Sequence, residues 1–86
     1  MPTISSFYGI LIRMFFNDHA PPHFHVEYGE FKATVDIQQL EIKCGVLPKR
    51  AQCLVLDWAK LHQQELIDDW ELCLAKKQPK PIEPLL

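Results

Sequence analysis

The chain lacks most of the features that would declare a function at sight. Its three cysteines, Cys44, Cys53 and Cys73, are odd in number and have no C-x-x-C spacing. That excludes a disulfide framework and a cysteine zinc site, and leaves reduced thiols, with Cys53 and Cys73 read as small core residues. An excess of one charge is lacking too. The formal net charge is −2, so no global field draws nucleic acid or an anionic membrane, and an RNA contact would need a local basic patch. No long apolar run is present. The one that starts at Phe7 is broken by Arg13 and has no charged stretch before it, which argues against a signal peptide and a membrane span and for a cytoplasmic protein. Repeats and a domain linker are missing as well.

What is there is the composition of one small globular domain spanning residues 1–86, with 48% apolar and 23% charged residues. A chain of this size buries only about 60–65% of the surface its unfolded form exposes, so its stability is modest.

The first half, residues 1–45, reads as strands. Residues 7–16 are rich in β-branched and aromatic side chains and form one expected strand, beginning as early as Thr3. The segment "NDHAPP" breaks it, because Pro21 and Pro22 lack amide donors and fix φ. Two alternating runs follow, "HFHVEY" and "FKATVDI", separated by Gly29 and Glu30. Gly at the first of two loop residues suits a type II′ hairpin. A short strand, "LEIKC", ends at Gly45.

Residues 46–77 read as helix, with Pro48 at a first helical position where its missing amide costs nothing. One apolar stripe runs through Ala51, Leu54, Val55, Trp58 and Leu61, and a second through Leu66, Ile67, Trp70, Cys73 and Leu74. On a straight helix the two stripes point roughly 160° apart, so a break is expected near residues 62–64. The proline-rich tail, residues 78–86, is extended, either loose or laid along the sheet. The expected fold is α+β: an antiparallel sheet of about four strands, packed on one face by a C-terminal helix or helix pair.

Fixing the turn at Gly29–Glu30 fixes the register. Phe24, Val26, Tyr28, Phe31, Ala33 and Val35 share one side, and His23, His25, Glu27, Lys32, Thr34 and Asp36 the other. Two imidazoles then project from one face, about 6.6 Å apart along the strand. Asp36 falls opposite His23, where it would orient the ring, and Glu27 opposite Lys32 as an ion pair. Arg13, at the parity opposite to Ile10, Ile12 and Met14, reaches the same face. Asp18 and His19 enter from the loop.

Three readings compete. In the first, His23 and His25 are an acid–base pair that cleaves RNA without a metal, with Asp36 orienting one ring and Arg13 holding phosphate charge. In the second, His19, His23 and His25 bind a divalent metal, with Asp18 or Asp36 as a fourth ligand or an outer contact. In the third, the histidines hydrogen-bond carbonyls that the prolines leave unpaired, or serve a protein interface. No other cofactor is expected.

The remaining candidates have plainer readings. Lys43, Lys49 and Arg50 are a solvated basic cluster more than a phosphate site, since cations are unfavourable at a helix N-terminus. Trp58 and Trp70 fall on the apolar stripes and read as core. His62 reads as a hydrogen-bonder at the helix junction. Asp68, Asp69 and Glu71 make a solvated acidic face.

The stretches "MPTIS-FYGI", "DHAPPHFHVEYG", "LPKRA" and "W-x3-H-x2-EL-x3-W" resemble a family of small bacterial proteins known as domain of unknown function 4160. The resemblance runs over nearly the whole chain. The positions that match the family motif are Asp18, His19, Pro21, Pro22, His23, Phe24 and His25, while Glu30 stands where a second glycine is common. The resemblance implies a bacterial cytoplasmic protein encoded beside a second small protein, in an arrangement like a toxin–antitoxin pair. It therefore implies a protein partner; RNA as a further ligand is an expectation from the histidine face itself, and no membrane is expected. Self-association is left open.

Overall fold

A computed structural model describes residues 2–16 and 18–86. Among these, the chain forms strands β1 (Thr3–Phe7), β2 (Ile10–Arg13), β3 (His23–Tyr28), β4 (Phe31–Asp36) and β5 (Glu41–Gly45). Two helices follow, α1 (Lys49–Leu61) and α2 (Gln63–Leu74). The strands pair antiparallel in chain order, β1-β2-β3-β4-β5. The fold is α+β, as the patterning predicts, with one strand more than expected.

The extra strand comes from the run at residues 7–16. Instead of one strand it makes a hairpin, turning at Tyr8 and Gly9, whose φ values are 51° and 80°. Positive φ at both central residues is the type I′ turn that matches strand twist. Tyr8 is an unusual residue for that conformation, which is why the turn does not announce itself in the sequence.

The second hairpin has the expected register. His23 pairs with Asp36, His25 with Thr34, Glu27 with Lys32 and Tyr28 with Phe31. Gly29 has φ of 56° and Glu30 is not in the positive region, as a type II′ turn requires. Most of the apolar parity of β3 and β4 is buried: Phe24, Val26, Ala33 and Val35 join Ile10, Ile12 and Met14 in the core, whereas Tyr28 is half-buried and Phe31, beside the turn, is exposed. Phe7 and Phe24 both meet the ring of Trp58 from α1, at centroid distances of 5.4 and 5.8 Å.

The helix breaks at His62, where φ is −119°. Its Nδ1 lies 2.6 Å from Glu65 Oε1 and its ring rests on Trp58, so it serves the junction. Trp58, Trp70 and Cys73 are core. Cys53 is exposed rather than buried, because it falls outside the stripe that α1 turns to the sheet. The tail is laid down, not loose. Ile82 N–H donates to Ile4 O on the β1 edge at 2.7 Å, and Trp58 Nε1–H donates to Glu83 O at 2.8 Å. Asp69 also departs from expectation: it is 2% exposed, and accepts the Lys80 amide at 2.9 Å where the tail crosses α2. Its other oxygen, Oδ2, has no partner among the described residues.

Candidate metal centre

Period-2 geometry puts His23 and His25 on the same side of β3, and each ring is held by its neighbours. The two imidazoles meet edge-on at 5.2 Å. His25 is stacked under Phe15 at 4.1 Å, and His23 rests on Trp70 of α2 at 5.2 Å. Aromatic contacts on both rings limit the orientations available to them. Neither Phe15 nor Trp70 is legible as a site neighbour from spacing, since each arrives from another element.

The carboxylate that joins the histidines is Asp18. Its Oδ2 lies 2.8 Å from His25 Nε2 and 3.3 Å from His23 Nε2. Asp36 stands across from His23 in register, but its Oδ1 accepts the Gln39 amide at 2.8 Å and so caps the β4–β5 turn. Orienting His23 is thus not the work of Asp36, whose carboxylate is taken up locally. The ring is oriented instead by Pro21, whose carbonyl lies 2.8 Å from His23 Nδ1. This is the proline-carbonyl contact of the third reading, and it coexists with the cluster.

That contact fixes a tautomer. A carbonyl can only accept, so Nδ1 carries the proton. Neutral His23 therefore turns the Nε2 lone pair toward Asp18 Oδ2. Two acceptors facing one another at 3.3 Å repel unless a cation stands between them. Either a second proton on His23 or a metal ion satisfies the arrangement. Three donor atoms, one each from Asp18, His23 and His25, lie within 4.8 Å of one another. Donors about 2.1 Å from a shared Zn-like ion stand about 3–3.5 Å apart, so a small readjustment, widening the 2.8 Å Asp18–His25 separation, completes the set. The Nδ1–H to Pro21 bond is the outer contact that metal-bound histidines commonly have.

His19 does not join. It is exposed and faces a neighbouring groove, outside the three-residue cluster. Arg13 pairs across the sheet with His25, yet its guanidinium turns diagonally to Glu27, with Nη1 3.6 Å from Oε2. Glu27 therefore pairs with Arg13 rather than with Lys32. Lys43 pairs with Glu41 at 3.2 Å, and Lys49 and Arg50 are exposed. Burial pushes the Cys73 thiol up, and the charges of Asp69 and Asp18 add to it. Cys73 is 1% exposed and stays a neutral thiol beside the cluster.

Among the described residues no helix is long and apolar enough to cross a membrane. A family model described as domain of unknown function (DUF4160) matches residues 9–71, well over half of the chain. No curated protein and no solved structure matches it.

Proposed function

The chain belongs to the family described as domain of unknown function (DUF4160), and from that premise we propose that it is a metal-binding protein. Asp18 Oδ2, His23 Nε2 and His25 Nε2 hold one divalent transition ion. Two imidazoles and a carboxylate form a borderline donor set suited to Zn, Fe, Mn or Co, and three protein ligands leave positions for water or substrate. An ion so held supplies an acidified water for hydrolysis. The observation that carries the reading is the confrontation of the His23 Nε2 lone pair with Asp18 Oδ2, fixed by the Pro21 hydrogen bond.

The test is metal uptake by the purified chain, measured by calorimetric titration and elemental analysis. One ion per chain is expected. His23→Ala and His25→Ala each lower affinity by at least tenfold, the scale of losing a ligand or its support, whereas His19→Ala leaves it unchanged. Uptake that survives the first two substitutions, or falls equally with the third, rules the site out.

A metal-free reading has one observation in its favour. The 2.8 Å contact between Asp18 and His25 is the carboxylate–imidazole pairing of acid–base catalysts, and with His23 it would suit RNA cleavage. Chelation separates the two: activity that persists in excess chelator belongs to the imidazoles alone.

The family resemblance adds a setting. We place the chain in the bacterial cytoplasm as one member of a toxin–antitoxin-like pair, bound to the small protein encoded beside it. Co-expression with that protein is expected to yield a complex that survives size exclusion. Separate elution of the two removes this part of the proposal.

A further inference from the structure

The face of the sheet that carries the histidines has two shallow grooves. One, of about 470 Å³, is bordered by Phe15, His25, Lys32, Thr34 and Cys44. The other, of about 260 Å³, is bordered by His19, His23, Thr34, Lys43 and Cys44. Thr34 and Cys44 belong to both, and they are paired neighbours on β4 and β5. The grooves are therefore two lobes of one trough across β3, β4 and β5, and no described helix residue borders either lobe. His25 opens on one lobe and His23 on the other, so the metal centre sits between them. A lysine and a carboxylate stand in each, Lys32 with Glu27 and Lys43 with Asp36.

Charge decides what such a trough attracts. Without an ion it is close to neutral. Lys32 faces Glu27 in register, but the Glu27 carboxylate is turned to Arg13; Lys43 is paired with Glu41 at 3.2 Å, and Asp36 adds a negative charge to the second lobe. A divalent ion on Asp18 leaves one net positive charge in the middle, with a flexible ammonium to each side. A tetrahedral oxyanion fits this field better than a carboxylate. It gives one oxygen to the ion and keeps others for a lysine and the Thr34 hydroxyl. Phe15, fixed by its stacking on His25 at 4.1 Å, supplies an aromatic wall against which a planar ring can lie.

We propose, resting on the metal reading above, that the trough binds a nucleotide phosphate ester. One phosphate oxygen enters an open position on the ion. Lys32 and Lys43 take the remaining charge, and the base lies against Phe15. The same unit is presented by a free nucleotide and by a single RNA strand.

The full chain, loaded with Zn2+ or metal-free, is titrated calorimetrically with adenosine 5′-monophosphate, inorganic phosphate and a short single-stranded RNA. The loaded chain binds the nucleotide and the metal-free chain does not. Lys32→Gln combined with Lys43→Gln weakens nucleotide binding about tenfold, the scale of two partly exposed charge contacts, without altering metal affinity. At equal metal loading, Phe15→Leu weakens the nucleotide by a larger factor than it weakens inorganic phosphate. RNA binding tighter than the free nucleotide identifies a strand as the source, and equal binding a free nucleotide; both agree with the proposal. A chain that takes up metal but no nucleotide, or that binds nucleotide equally when metal-free, overturns it and leaves the metal centre standing. Absence of metal uptake is read separately in the metal titration, and it removes both.

Discussion

Gly45 closes β5 against β4 and borders the trough, and its replacement tests how rigidly that floor is built. A Cβ added there would lie 2.1 Å from Lys32 O, 2.8 Å from Ala33 Cα and 3.0 Å from Lys32 C. All three are backbone atoms of the adjoining strand, so no side chain can swing away. The residue also has φ of +79°, which costs an alanine about 1–2 kcal/mol by itself. Forcing β5 off β4 adds about 1–3 kcal/mol, the usual penalty of overpacking. Gly45→Ala should therefore cost about 2–5 kcal/mol. A chain of this length has about 4–13 kcal/mol in total, so the loss is large. At about 4–8 °C per kcal/mol, Tm should fall by at least about 8 °C. Gly29→Ala is the control. Its φ is +56°, but a Cβ there meets nothing within 4 Å, so only the backbone term applies, about 1–2 kcal/mol and about 4–16 °C. Thermal unfolding followed by near-ultraviolet circular dichroism, which reports the buried Trp58 and Trp70, measures both. Equal drops for the two variants, or a larger one for Gly29→Ala, would refute the clash.

Burial pushes the Asp69 carboxyl up from 3.8; the Lys80 amide opposes this, and Glu65 and Asp68 raise it further. Such a group holds more protons folded than unfolded, so its contribution is complete below the unfolded value and is lost as pH rises through the folded one. The stability of Asp69→Asn relative to the parent should accordingly be lowest near pH 3.5 and climb to a plateau at higher pH, read from urea midpoints; a difference that is flat or falls with pH would contradict the assignment. Trp58→Phe removes the donor to Glu83 O and should cost about 2 kcal/mol from the lost hydrogen bond and the smaller ring. Faster hydrogen exchange at the Ile82 amide, which bonds Ile4 O, should accompany it, and unchanged exchange there would mean that the tail is held independently of Trp58. Cys44 and Cys53 are exposed and Cys73 is buried, so two thiols per chain should react with a disulfide reagent in the native state and the third only on unfolding.

Much of the fold was legible because periodicity reports burial directly. The β3–β4 register followed from one glycine and two alternating runs, and the helix break followed from two apolar stripes that cannot face one core. What escaped were local exceptions to propensity. Tyr8 accepts a positive φ of 51°, so a strand-rich stretch folded into a hairpin that no turn residue except Gly9 advertised. Asp69 lies within a run of acidic residues and reads as solvated, yet the tail crosses over it and takes its Oδ1 through the Lys80 amide. Nothing in a helical pattern records what a distant proline-rich segment will cover.

The site divides along the same line. Strand geometry alone put His23 and His25 together, since neighbours two apart must share a face. It could not choose their carboxylate. Asp36 had the right register and Asp18 only the right vicinity, and register was the weaker guide because a carboxylate at a strand end has a local competitor. An Asp three residues before a free amide can bond that amide and close its own turn, and Asp36 does so with Gln39. Asp18 bonds no such amide among the described residues; its Oδ2 turns to the two imidazoles. The prolines complete the arrangement from the other side. Having no N–H, Pro21 offers only a carbonyl, and that carbonyl accepts the hydrogen bond from His23 Nδ1–H. Replacing Pro21 should therefore matter less than replacing any residue whose side chain enters the cluster. Pro21→Ala keeps the carbonyl, whereas His23→Gln keeps a polar side chain but loses the ring nitrogen. Metal affinity that falls more for Pro21→Ala than for His23→Gln would show that the loop, and not the ring, is the element that builds the centre.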